Sequence, residues 1–122
     1  MPPVKTIKFE RGQTHVETLF AVDDDGQPID LTGAQLMFSM RPIPGSPIVL
    51  LAKTNTTGMA VDADQAVNKG KYTITFAHAD TVGITTPPAT YSFDVWAIIG
   101  SSYTPLTAPS QVVIGQIVTA LP

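Results

Sequence analysis

The sequence predicts an all-β protein, an immunoglobulin-like antiparallel β-sandwich of about seven or eight strands. Short segments in which apolar and polar residues alternate recur along the chain, and Gly, Pro, Asn and Asp interrupt them at short intervals. No long segment has the 3.6-residue period of an amphipathic helix. At 122 residues the chain is expected to form one β-sandwich domain, residues 1–122, with a single core.

The second strand has the clearest pattern. Thr14–Val22 alternates, and we place Phe20 on its core side and His15 and Glu17 on its polar side. The following Asp23-Asp24-Asp25-Gly26 is typical of a turn, because Asp accepts local backbone hydrogen bonds and Gly tolerates positive φ.

The other strands follow from the same alternation. They are expected at Val4–Glu10, Leu36–Arg41, Ile48–Lys53, Met59–Asp62, Gly70–Ala77, Thr90–Ile99, Tyr103–Leu106 and Gln111–Ala120. The core is expected to contain Phe20, Leu36, Phe38, Ile74, Phe76, Phe93 and Val95. His78–Val82 is expected to form one helical turn, and the proline-rich Pro42–Pro47 an exposed, stiff connection.

Several motifs follow one another in a characteristic order. Arg11-Gly12-Gln13-Thr14 opens the second strand, and the segment from Asp24 to Ala34 leads to the strand that ends at Arg41. The later motifs are Gly70–Phe76, Ala79–Thr81, Ala89–Val95 and Ile114–Val118. In this order they resemble small virion proteins of tailed phages, among them the N-terminal domain of the upper baseplate protein (BppU) family. The resemblance covers nearly the whole chain.

The resemblance implies an immunoglobulin-like building block of a tailed-phage virion, in the tail, the baseplate or the particle exterior. Its partners would be other virion proteins and copies of itself in a symmetric assembly. The protein would be made in the host bacterial cytoplasm and would reside in the virion. A capsid decoration or head–tail joining protein is the alternative within this class.

The composition is poor in charge. Charged residues make up 14% of the chain, against roughly 25% in ordinary domains. Such a surface favours assembly, although a Thr-rich sheet with solvated faces would have the same composition. The net charge is −3 and the seven Lys and Arg residues are scattered, so direct nucleic-acid binding is not expected. No secretion signal and no membrane-length apolar run are visible, so no membrane partner is expected.

No residue pattern predicts chemistry. The chain has no Cys and two His, and adjacent Asp side chains on extended backbone diverge, so no metal and no cofactor are expected. No nucleophile elbow of the G-x-S-x-G type is present. The sequence therefore predicts a protein that is not an enzyme and has no small-molecule substrate.

Two strands carry apolar residues on both faces. In Thr90–Ile99, Trp96 and Ile98 lie opposite the expected core side, and the last strand continues this pattern. The candidate subunit-contact residues are Trp96, Ile98, Val113, Ile117 and Leu121. Two alternatives stay open for Trp96 and Ile98: the loop that carries Pro105 and Pro109 covers them, or the strand has the opposite orientation.

A carbohydrate-binding β-sandwich module is the alternative from a different functional class. It would use exposed aromatic side chains such as Trp96, Tyr103 and Tyr91 as stacking platforms. A single Trp and scattered Tyr residues make this interpretation weaker than an assembly role.

Overall fold

The computed structural model describes residues 2–84 and 90–115. In these two ranges the protein is all-β, with nine strands and one helical turn around a shared apolar core. The strands are β1 (Thr6–Glu10), β2 (His15–Phe20), β3 (Gln35–Arg41), β4 (Leu51–Thr54), β5 (Met59–Val61), β6 (Lys71–Phe76), β7 (Thr90–Ile99), β8 (Ser102–Pro105) and β9 (Ser110–Gly115). The helical turn, α1, is His78–Thr81.

The strands form two sheets in a sandwich-like arrangement. The larger sheet has the order β1-β9-β7-β3-β4, with β8 also paired to β7, and the smaller sheet has the order β2-β6-β5. The prediction of a purely antiparallel sandwich is wrong at one pair, because β1 and β9 are parallel, with Thr6 opposite Gln111. A parallel pair needs a crossover between its strands, and here most of the chain supplies it.

The expected core is confirmed on three strands, β3, β6 and β7. Leu36, Phe38, Ile74, Phe76, Phe93 and Val95 are all buried. Aromatic contacts join the two sheets: the ring centroid of Phe76 lies 5.6 Å from that of Phe38 and 4.8 Å from that of Phe9. The sandwich is therefore closed by large side chains that alternate inward from both sheets.

The orientation predicted for β2 is wrong. Phe20 is 50% exposed, whereas Leu19 is buried and lies opposite Tyr72 of β6. His15 and Glu17 share the inward side with Leu19, but they sit on an edge strand, where half-buried polar groups still reach water. Their Nε2 and Oε1 atoms are 2.8 Å apart. The pattern predicted the wrong orientation because His15 and Glu17, the polar residues at the start of β2, lie on the side that faces the core.

Two other strand predictions need correction. The strand expected at Ile48–Lys53 is β4, which begins only at Leu51, and Ile48 to Leu50 are exposed loop residues. The described ranges contain nine strands rather than seven or eight. The strand expected at Gln111–Ala120 is present as β9 up to Gly115, and its remainder lies outside the described residues.

β8 and β9 lie one after the other along a single edge of β7. β9 pairs with Thr90–Phe93 and β8 with Trp96–Ile99. Between them the Val95 N–H donates to Thr107 Oγ1 at 3.1 Å, and the Leu106 N–H donates to the Val95 carbonyl at 2.8 Å. The segment that links β8 to β9 is thereby held against the edge of β7.

Candidate protein-docking face

The candidate site lies on the face of the larger sheet that points away from the core. In β7 the side chains of Tyr91, Phe93, Val95 and Ala97 are buried inward, as the sequence predicts. Trp96 lies on the opposite face and is 38% exposed, and the half-buried Ile98 lies beside it on the same strand. The predicted register of this strand is therefore confirmed.

Neighbouring strands extend the apolar surface around Trp96. Met37 of β3 and Pro105 of β8 are the cross-strand partners of Trp96, and Tyr103 is that of Ile98. Residues paired across antiparallel strands point to the same face, so these side chains form one surface. We call it the Trp96 patch: Met37, Trp96, Ile98, Tyr103 and Pro105. Tyr103 is 69% exposed, and the indole Nε1 of Trp96 makes a long hydrogen bond of 3.4 Å to Asp94.

The loop after β8 does not cover Trp96. Leu106 and Thr107 are buried and bonded to the backbone of Val95, which keeps this loop beside β7, in line with the sheet. Pro105 contacts Trp96 as a strand neighbour, and Trp96 keeps more than a third of its surface exposed. The patch is therefore a sheet surface on a rigid element.

A second apolar feature projects from the same sheet. The connection from β3 to β4, Pro42–Leu50, contains no charged residue, and we call it the β3–β4 finger. Four of its aliphatic side chains are exposed, by 62%, 59%, 45% and 38%: Ile43, Ile48, Val49 and Leu50. Contiguous exposed apolar groups are uncommon on soluble proteins and mark interaction sites.

The finger is held in one conformation. Its tip is a type II turn, with Pro44 and then Gly45 at φ 78° in the central positions and the Ser46 N–H bonded to the Ile43 carbonyl. The Arg41 guanidinium donates to the Ser46 carbonyl at 2.7 Å. At the base of the finger the Leu50 N–H donates to the Met40 carbonyl at 2.8 Å. A loop ordered in this way loses little entropy on docking.

The sequence predicted an exposed, stiff connection at Pro42–Pro47 but missed the exposure of Ile48 to Leu50. The pattern places Ile48 in a strand, since a short apolar run with β-branched residues is typical of one. The run of nine residues without a charge, seven of them apolar or Pro, could have indicated an exposed apolar loop.

The structure separates the other predicted contact residues from Trp96. Val113 is half-buried and pairs with Lys8 and Thr90, six residues from Trp96 along β7, or roughly 20 Å. Ile117 and Leu121 lie outside the described residues. The structure therefore brings Trp96 and Ile98 together and places Val113 at the far end of the sheet.

The acidic loops have local structural roles. The Asp23 carboxylate accepts the N–H groups of Asp25 and Gln27, both at 2.9 Å, as expected for a turn. A hydrogen bond from the Asp64 N–H lowers the pKa of the Asp62 carboxyl below its usual value. Within residues 2–84 and 90–115, no three His, Asp or Glu side chains converge as a metal site. The same residues contain no helix long and apolar enough to cross a bilayer.

No protein-family model matches this chain, and no curated protein matches its sequence. The observations that bear on function are therefore the fold, the Trp96 patch and the β3–β4 finger.

Proposed function

We propose that this chain is a structural component of a tailed-phage virion and that it acts through protein–protein contacts. The observation that carries the assembly role is the Trp96 patch, an apolar surface on the outer face of a rigid sheet. An exposed Trp with aliphatic neighbours is typical of the anchor of a protein interface. The particle itself is proposed from the ordered sequence motifs that resemble tailed-phage virion proteins, and an immunoglobulin-like strand topology is part of this proposal.

The surroundings of the patch favour a protein partner. Tyr103, Ile98 and Met37 offer apolar contact area without an ionisable group that is charged at neutral pH. Burying such a surface gains free energy from the hydrophobic effect. The neighbouring Asp94 carboxylate accepts a hydrogen bond from the Trp96 indole, which offsets part of the cost of removing its water. The neighbouring finger adds further apolar area that is already ordered.

The same face would make the contacts whether the protein lies in the tail or baseplate or acts as a capsid decoration or head–tail joining protein. A carbohydrate-binding module is the second candidate, because Trp96 and the more exposed Tyr103 lie on one flat surface. Sugar recognition also needs several convergent polar groups, and the polar side chains on this face, Asp94, Gln35 and Thr54, are spread over three strands. The assembly role accounts better for the aliphatic residues of the patch.

Mass spectrometry of purified particles, from cells that make the phage encoding this chain, tests the proposal. The chain should be present in a fixed ratio to the major structural proteins and should remain after washing in high salt, because apolar contacts are insensitive to screening. Absence of the chain from the particles would contradict the virion role. Specific binding of the purified chain to a glycan array, abolished by Trp96→Ala, would favour the carbohydrate-binding module instead.

A further inference from the structure

We infer that the occupant of the Trp96 patch is a second copy of this chain. The two copies pack with the outer faces of their larger sheets together, and the β3–β4 finger of each lies on the Trp96 patch of the other. This inference rests on the proposed function, because it names the partner of that same face.

The finger and the patch lie on the same side of the larger sheet. Pro44 of the finger lines a cleft of about 80 Å³ together with the outward-facing Ser39 and Asp94. The patch begins at Met37 and Trp96, the next outward positions along β3 and β7. The two features are therefore displaced from each other along the strands. A two-fold axis that lies between the two packed sheets, one from each copy, and runs perpendicular to their strands would place each finger on the other copy's patch.

The charges of this face are compatible with self-association. Arg41 and Asp94 lie on neighbouring strands between the finger and the patch, so one positive and one negative group balance. Much of the excess negative charge lies elsewhere, in the turn Asp23–Asp25 and in the β5–β6 connection at Asp62 and Asp64. Two copies can approach through this face without strong repulsion.

The size of the finger favours a reciprocal arrangement. The finger has nine residues, fewer than half of the roughly 20–30 that each side of a stable interface contributes. In a two-fold pair each copy contributes both its finger and its patch, so the interface contains two finger–patch contacts instead of one. The finger also lacks Lys and Arg, which would attract it to an anionic membrane, so a protein surface is the better match.

Sedimentation velocity of the full chain, from micromolar to millimolar concentration, tests the inference. The wild-type chain should form a reversible dimer and no larger species. Ile48→Asp in the finger and Trp96→Ala in the patch should each weaken dimerisation by about tenfold or more, as expected for interface anchors. Val67→Asp is the matched control, because Val67 is 77% exposed in the β5–β6 connection and its variant should dimerise normally.

Mixing the two defective variants gives the decisive result. A pair made of one Ile48→Asp copy and one Trp96→Ala copy has both substitutions in one finger–patch contact and keeps the other contact intact. Because Ile48 and Trp96 meet in the same contact, their losses there overlap instead of adding, so the mixed pair should dimerise more tightly than either variant alone. Circular dichroism must show that each variant is folded, and Ile43→Asp replaces Ile48→Asp if that variant is not. A monomeric wild-type chain, an unimpaired finger variant, or a mixture without recovery would overturn the inference. Incorporation of the chain into particles would leave the proposed function standing in each of those cases.

Discussion

The Lys53 Nζ atom lies 2.7 Å from a carboxylate oxygen of Asp80, and the Lys53 side chain is almost completely buried. Lys53 belongs to β4 of the larger sheet, and Asp80 to α1, which follows β6 of the smaller sheet, so the pair ties the two sheets together. The ammonium group also donates to the Thr57 carbonyl at 3.1 Å and lies 5.9 Å from the centre of the Phe76 ring. The same carboxylate accepts the Ala77 N–H at 2.7 Å.

Removal of the acidic partner should be costly. Asp80→Ala leaves the buried ammonium group without its counter-charge and should lower the free energy of unfolding by about 3–5 kcal/mol. Lys53→Met should cost less, because an apolar chain of similar length suits the site next to Phe76. In the double variant the two losses should be less than additive. Urea denaturation of the three variants measures these values, and strictly additive losses would contradict the account of a coupled buried pair.

Gln65 should be essential to the β5–β6 connection. Its buried side-chain oxygen accepts the N–H groups of Leu31 and Gly70, and its amide nitrogen donates to the carbonyls of Asp62 and Lys71. Gln65→Leu keeps the volume but removes all four bonds, so unfolding free energy should fall by about 2–4 kcal/mol. Val67→Ala in the same loop should change stability little. Chemical denaturation that shows equal stability for the two variants would sink this interpretation.

Two adjacent residues test the orientation of β2. Leu19→Ala should lower the free energy of unfolding by about 2–5 kcal/mol, because Leu19 packs in the core. Phe20→Ala removes a larger side chain, but one that is half exposed, and should cost about 1 kcal/mol or less. Thermal or chemical unfolding gives both values. The reverse order would mean that the strand faces the other way.

The stability of the protein should fall in alkali. Burial raises the pKa of the Tyr72 phenol above its ordinary value. Below about pH 10 the Tyr72 phenol is neutral in both the folded and the unfolded chain, so the folded protein keeps its full stability. Above that pH the phenol ionises first in the unfolded chain, so the stability of the folded state falls as the pH rises further. The slope for one such group is up to about 1.4 kcal/mol per pH unit. Tyr72→Phe should therefore show a shallower decline in urea midpoint above pH 10 than the wild-type chain, and identical slopes would show that Tyr72 is not responsible.

The sequence predicted the fold best where one face of a strand is buried along its whole length. β6 alternates between core and surface along its whole length and β7 from Thr90 to Ala97, so their orientation followed from the residue pattern. The orientation of β2 was predicted wrongly because its inward side begins with His15 and Glu17, which only an edge strand can accommodate. The parallel pairing of β1 with β9 is a long-range contact, and local alternation contains no information about it.

The candidate site was only partly accessible to sequence reasoning. Trp96 and Ile98 stood out because they break the polar pattern of one face of β7. Met37 and Pro105 lie beside Trp96 because of how β3 and β8 pair with β7, and the sequence of a single strand does not specify this pairing. The exposure of Ile48 depends on where β4 starts, and the bounds of a short strand are the least predictable feature of a sequence.

We propose that Trp96 stabilises an assembly rather than the fold of the single chain. Wild-type and Trp96→Ala chains produced in the same cells differ in the mass of the peptide that carries residue 96, so mass spectrometry gives the ratio in which they enter purified particles. We expect the wild-type chain to be enriched about tenfold or more over its share in the soluble pool, while the unfolding free energy of the free variant falls by less than the roughly 3–5 kcal/mol expected for a fully buried Trp. A ratio in the particles equal to that in the soluble pool would contradict the claim.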